Sequence, residues 1–547
     1  MTRREARERA GLLSIHHYDV RLDFTNGDET FESNTTITFG CRAPGSSTFV
    51  EFGGPGVHAA ELNGRALPTR FESGRLPLDR LAPDNSLTIR GTGSYSRDGT
   101  GISWFRDPVD GRTYLHSQFA EHSTYLGYAC FDQPDLKATF AFTVKAPEGW
   151  VVVSNTPGVR DPNGVWTFPT TSVMSTYVTA IVAGEYHAVR QDHRGIPLGV
   201  YCRQSLAQYL EPDEIFEITR QGLDFFERRF GHQYPFGKYD QLFVPESGSG
   251  AMENAGCVTF NERRLFRSKV TDAQRMDRAQ TILHEMAHMW FGDLVTMKWW
   301  DDLWLNESFA EYMGYLAVEE ATRFKTAWTE FAVATKEGAR RQDQLPTTHP
   351  IVADIADVEA VKLNLDSITY NKGASALKQL VSWVGQEAFF KGVEAYFTAH
   401  AFGNTELADF LLALEAASGR DLSAWSRAWL ETTGVNTLEV ALQVDGGVIT
   451  SADLRQTAPA DHPTLRPHRL RVGMFDLVDG RVHRRRSIEL DIEAGVTSIP
   501  QLSGERVPDL VLPNDEDLTY CKVALDERSI ETLKRHLRHI EDPLARA

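Results

Sequence analysis

Two histidines four residues apart, with a glutamate directly after the first, form the stretch of this sequence best suited to chemistry: His284-Glu285-Met286-Ala287-His288. On a helix such residues project from one face, about 6 Å apart along the axis. Two imidazoles so placed can grip one zinc ion. A hydrolytic zinc centre takes three protein ligands, often two His and one Glu, and keeps a fourth position for a water whose pKa it lowers to about 7. Glu307, in Asn306-Glu307-Ser308-Phe309-Ala310-Glu311, follows after eighteen intervening residues and would be the third ligand. Glu285 then stands where it can take that water's proton. The bland alternative is a pair of ordinary core or surface histidines. Against it, Ala279, Ile282, Leu283 and Met286 recur at helical spacing from a start near Thr271-Asp272, so the pattern lies on a buried amphipathic helix.

A chain of 547 residues needs more than one core to hold such a helix. Residues 2 to 13 read as a short charged helix, and alternation then begins at His17 to Phe24 and recurs in short runs to about residue 200. This predicts an N-terminal antiparallel β domain over 1–203. Longer amphipathic segments follow, first Ile215 to Phe230, broken by the β-like run Tyr239 to Val244 and the turn Ser247-Gly248-Ser249-Gly250. They define a mainly α catalytic domain over 204–434. Alternation returns at Thr437 to Val444 and predicts a small β-sandwich over 435–525, with a C-terminal helix or tail over 526–547. The fold class expected is thus multidomain α+β.

Composition narrows the partners. A net charge of -18 argues against nucleic acid or an anionic membrane surface as the main partner. The Arg484-Arg485-Arg486 run and the basic N-terminus (Arg3, Arg4, Arg7, Arg9) read as solvated faces. No apolar run is long enough to span a bilayer and no apolar stretch follows Met1, which points to a cytoplasmic protein. Five scattered cysteines fit reduced thiols.

Three motifs in order now carry a resemblance: Gly250-Ala251-Met252-Glu253-Asn254, the His284 to His288 helix with Glu307, and Ile368-Thr369-Tyr370-Asn371-Lys372-Gly373-Ala374. The chain resembles the zinc aminopeptidases of the aminopeptidase N type, family M1 of the gluzincin metallopeptidases. The runs Gln133-Pro134-Asp135-Leu136-Lys137-Ala138 and His462-Pro463-Thr464-Leu465-Arg466-Pro467 make it most like the bacterial members. The resemblance implies a thermolysin-like catalytic domain and one Zn2+ per chain held by His284, His288 and Glu307. It implies Glu285 as general base and then acid, and Tyr370 as hydrogen-bond donor to the oxyanion of the tetrahedral intermediate. Glu253 would anchor the substrate's α-ammonium, and the Gly250 and Ala251 backbone would align the peptide. Glu311, four residues beyond Glu307, is a candidate to orient a ligand.

Two departures bear on substrate. Where the family has Gln-Phe-Glu, this sequence has Gln118-Phe119-Ala120-Glu121, so Gln118 remains while Ala120 replaces a glutamate that helps hold the α-ammonium. If this stretch is an extended strand, Glu121 points to the other face and does not substitute. The chain also lacks the large C-terminal helical domain common among relatives, so an open cleft, or one covered by a second copy of the chain, is expected. Two activities follow. One is removal of N-terminal residues from peptides; the other is hydrolysis of an amide in a specialised, natural-product-like molecule with a free amine and a modified amine subsite.

Overall fold

The charged N-terminal segment forms α1 (Arg3–Leu12), closed by a reciprocal cap between Thr2 and Glu5. The first alternating run lies within β1 (Leu13–Asp23), which buries Tyr18, Val20 and Leu22 and turns the residues between them outward. The computed structural model describes residues 1–547. These divide into two compact units: Met1–Trp300 with Ile355–Val361 and Phe397–Glu406, and Asp301–Asp354 with Lys362–Tyr396 and Leu407–Ala547.

In the first unit β1 lies inside an eight-stranded sheet, between β2 (Thr30–Cys41) and β5 (Thr139–Lys145). The label β3 is used for Asp84–Ser94, which pairs with β2, and β4 for Thr113–Gln118 of a separate four-stranded sheet. The expectation of a wholly antiparallel domain needs correction. β1 and β5 run parallel, Val20 facing Phe142, because the long intervening chain returns as a crossover rather than a hairpin. The basic N-terminus is also not all solvated: Arg9 is buried, with Nη1 2.8 Å from Glu51 and Nε donating to Gln133 at 2.5 Å.

A five-stranded sheet carries the chain toward the catalytic helix. Its strands are β6 (Tyr186–His193), β7 (Ile196–Arg203), β8 (Tyr239–Val244), β9 (Ala251–Met252) and β10 (Cys257–Asn261), in the order β6-β7-β8-β10-β9. β7 pairs parallel with β8, so this sheet runs across the boundary expected at residue 203. α2 (Pro212–Phe230) and α3 (Asp272–Ala287) pack together where a Cβ on Gly222 would overlap Leu283 and lie 2.8 Å from the Met286 sulfur. Only glycine lets the two helices approach so closely.

The second unit contains α4 (Leu303–Ala321), α5 (Gly373–Val384) and two sheets of the region 437–524. One sheet centres on β11 (Thr437–Asp445) and β12 (Val448–Thr457); the other comprises β13 (His468–Val478), β14 (Arg481–Ile492) and β15 (Leu510–Asp515). Leu438, Leu454, Leu470, Val472, Ile488 and Val511 from both sheets share one core. The arginine run on β14 is neutralised locally: Arg484 pairs with Asp515 and Asp542, Arg485 with Asp476 and Arg486 with Glu505. The C-terminal segment forms α6 (Glu527–His536), capped by Asp526. No helix is long and apolar enough to cross a membrane.

Candidate active site

Thr271 caps α3 and exchanges hydrogen bonds with Gln274, which places the helix start where the spacing predicted it. The last turn carries His284, and His288 is the residue on which the helix ends. Their rings lie 4.8 Å apart, centroid to centroid, at 72°. The His288 Nδ1 is 3.2 Å from the Phe291 carbonyl oxygen, a contact that places the ring proton on Nδ1 and the lone pair on Nε2. Glu253, immediately after β9, joins Glu285 and His288 in a buried group whose ligand atoms all lie within 4.8 Å of one another. Tyr239 of β8 lies against this group; burial first, then the Glu285 carboxylate, hold its phenol well above the ordinary range.

Two residues with no predicted role stand behind these side chains. Asp293 is fully buried, and burial, followed by the Glu253 carboxylate, holds its carboxyl well above the usual carboxylate range. Its backbone N–H donates to the His288 carbonyl at 3.0 Å. Lys137 Nζ donates to the carbonyls of Asp293 and Leu294, both at 3.1 Å, and burial draws its pKa down to about 7. Lys137 therefore clamps the loop that leaves the histidine helix. The sequence signal was its place in the Gln133 to Ala138 run, which gave a resemblance but no contact.

The segment expected to bind the amine turns earlier than predicted. β4 ends at Gln118, and Glu121 adopts a left-handed φ of 61°. Ala120 and Glu121 thus lie in a turn, and the strand argument that sends Glu121 to the opposite face does not apply. Gln118 Nε2 donates to Ser249 Oγ at 3.2 Å, and Ser249 Oγ is 3.3 Å from Ser247 Oγ, so the Ser-Gly-Ser turn is hydrogen-bonded. Gly250 gives its carbonyl to the Asn261 N–H at 2.9 Å. Ala251 faces Phe260 across the β9–β10 pair, and β9 is the sheet edge. With Gly250 spent on Asn261, this is a non-hydrogen-bonded pair, and the Ala251 N–H and C=O are directed to the outer side.

In the second unit Glu307 lies in the first turns of α4 and is buried, while Glu311, one turn on, is partly exposed. Tyr370 is half-buried on a single turn of π-helix, Ile368–Lys372, that runs into α5. Ser308, next to Glu307, donates from Oγ to the Thr369 carbonyl at 2.6 Å. A Cβ on Gly373 would overlap the Ser308 hydroxyl and lie 2.8 Å from its Cβ. Glycine at 373 thus lets α4 and the Tyr370 segment touch.

Residues 77–178 match the Peptidase M1 N-terminal domain, and residues 214–429 match the Peptidase family M1 domain. Over 100% of its length the chain is 51% identical to Aminopeptidase N of Streptomyces lividans. The chain belongs to peptidase family M1. It is also 31% identical, over 78% of its length, to Tricorn protease-interacting factor F2 of Thermoplasma acidophilum, and 33% identical, over 74%, to Aminopeptidase 2, mitochondrial, of Saccharomyces cerevisiae. This M1 chain spans 66%, 54% and 44% of the length of those three relatives.

M1 membership implies a zinc ion, and the chemistry of the donors fits one. Two buried imidazoles on successive turns, with the His288 ring oriented by a backbone carbonyl, are the neutral nitrogen ligands zinc takes.

Proposed function

We propose that this chain is a zinc-dependent aminopeptidase, with His284, His288 and Glu307 holding one zinc ion. The observation that carries the reading is the buried group of Glu253, Glu285 and His288, with ligand atoms within 4.8 Å of one another. A carboxylate for an α-ammonium thus lies beside a carboxylate for proton transfer. When bound, the metal acidifies a water and polarises the scissile carbonyl. Glu285 takes the proton from that water and returns it to the leaving amine. Glu253 pairs with the α-ammonium through a charge-assisted hydrogen bond and thereby sets the distance from the chain start to the bond cleaved. The outward N–H and C=O of Ala251 can pair with an extended substrate as an added strand. Tyr370 donates to the oxyanion. The Aminopeptidase N relative, at 51% identity, supports the activity.

The test is hydrolysis of an L-aminoacyl p-nitroanilide, lost on chelation and restored by zinc. Glu285→Ala is expected to lower kcat by about 10²–10⁴-fold while zinc content measured by mass spectrometry is unchanged. A zinc-loaded Glu285→Ala protein of full activity would refute the assignment.

Ala120 favours a second reading, a specialised amidohydrolase with an altered amine subsite. A zinc-loaded wild-type protein inert towards a panel of aminoacyl p-nitroanilides would favour it over the first.

A further inference from the structure

The turn that carries Tyr370 is anchored at its far end by a feature that no step above uses. The Gly373 N–H donates to the Ile368 carbonyl five residues back, the bond that defines a π turn. Such a turn holds one residue more than an α turn, so the direction of the side chains on it must be fixed from outside. Asp366 holds the start: its Oδ1 accepts from the N–H groups of Ile368 and Thr369 at 2.8 and 3.3 Å.

Lys372 holds the end. Its Nζ is 2.8 Å from Asp343 Oδ2, and both side chains are entirely buried. Asp343 Oδ1 accepts from the Gly434 N–H at 3.0 Å and from Thr348 Oγ1 at 2.7 Å. The 432–434 segment is fixed in turn by Arg466 of the His462 to Pro467 run. The Arg466 guanidinium donates to Thr432 Oγ1 and to the Thr433 carbonyl, both at 2.8 Å. An ion pair so dehydrated adds little net stability, because desolvation offsets most of the attraction. What it does supply is a single allowed geometry two residues from the Tyr370 hydroxyl's own backbone.

We infer that the Lys372–Asp343 ion pair, backed by Arg466, is the positioning device that aims Tyr370 at the reacting carbonyl. Lys372 is a positioning residue and touches no substrate. The inference rests on the aminopeptidase reading and gives the His462 to Pro467 run a task in it. It also explains why Lys372 is a lysine inside a core: a neutral side chain of similar length would fill the space but leave the turn free to rotate.

The experiment is a cycle between Tyr370→Phe and the paired change Asp343→Asn with Lys372→Met. The paired change removes both charges and keeps the oxygen that accepts from Gly434 and Thr348. A shift of about 1 Å in a reacting group costs about 10²-fold, so kcat on L-leucine p-nitroanilide is expected to fall by that order. KM is expected to stay within about two-fold, the signature of an interaction made only in the transition state. In the Tyr370→Phe background the same change is expected to cost no more than about two-fold, because its route to the chemistry is gone. Wild-type kcat in the folded, zinc-loaded variant would overturn the inference, as would an equal loss in both backgrounds. If the paired variant does not fold, Lys372→Arg carries the same cycle. Hydrogen exchange over residues 366–384 separates this inference from the peptidase reading. Should the wild type hydrolyse no aminoacyl amide, that reading fails; faster exchange confined to this segment in the variant still upholds the anchor, and unchanged exchange overturns it.

Discussion

Tyr370 and Glu253 are assigned to different stages of one reaction, and their substitutions should separate accordingly. A donor to an oxyanion acts only as negative charge develops, so Tyr370→Phe is expected to lower kcat by about 10²–10³-fold with KM little changed. Glu253→Gln removes the charge that recognises an α-ammonium, and is expected to raise KM for free-amine substrates. Steady-state kinetics on leucine p-nitroanilide tests both, and equal KM values for wild type and Glu253→Gln would remove Glu253 from amine recognition. The zinc-ligand residues were legible in the sequence because four-residue helical spacing is a local property. Lys137 and Asp293 were not. Their burial comes from segments more than 150 residues apart meeting at the loop after α3, and Lys137 donates to carbonyls that carry no side-chain signature.

The elements repeat this pattern, and the segment around Tyr370 gives the sharpest tests. His349 Nε2 lies 3.0 Å from Asp366 Oδ2. The Asp366 hydrogen bond raises the His349 pKa, while burial and the more distant Lys372 oppose it. For Asp366, burial acts upward, but His349 and two backbone amides outweigh it and hold the carboxyl below its usual value. A raised imidazole pKa means that the stability is fully present below the ordinary value of about 6.5 and is lost as pH rises through the raised one. Exchange protection over 366–372, corrected for intrinsic rate, should therefore be higher at mildly acidic than at alkaline pH. His349→Gln should abolish the difference; if it persists, the pair is not its origin. Gly373→Ala is expected to destabilise the fold by about 1–3 kcal/mol through overlap with Ser308, as read by denaturant unfolding, and Ser308→Ala should relieve part of that cost. The helices α2, α3 and α5 and the first strand were foreseen from periodicity. The π turn at Ile368–Lys372 and the left-handed Glu121 were not, since each is one residue's departure imposed by its surroundings.

At the scale of the molecule, the net charge of -18 acts on every approaching substrate. Such a field favours cationic ligands and is screened by salt. The KM for an arginyl or lysyl reporter should therefore rise more steeply from low to physiological ionic strength than that for a leucyl one, and parallel slopes would exclude steering by net charge. Strand pairing was the least legible feature at this scale. β1 with β5, and β7 with β8 and β10, run parallel across long crossovers, and no local pattern encodes such partners. The same sheet ends in β9, a strand of two residues whose outer edge offers the Ala251 amide and carbonyl. An open edge is ordinarily a hazard, because it invites another chain to add on without limit. Here the rung is long enough to hold one peptide end and too short to seed a growing sheet. Because it reads backbone rather than side chains, a substrate with proline where an N–H must pair with that rung should be refused, whatever its first residue.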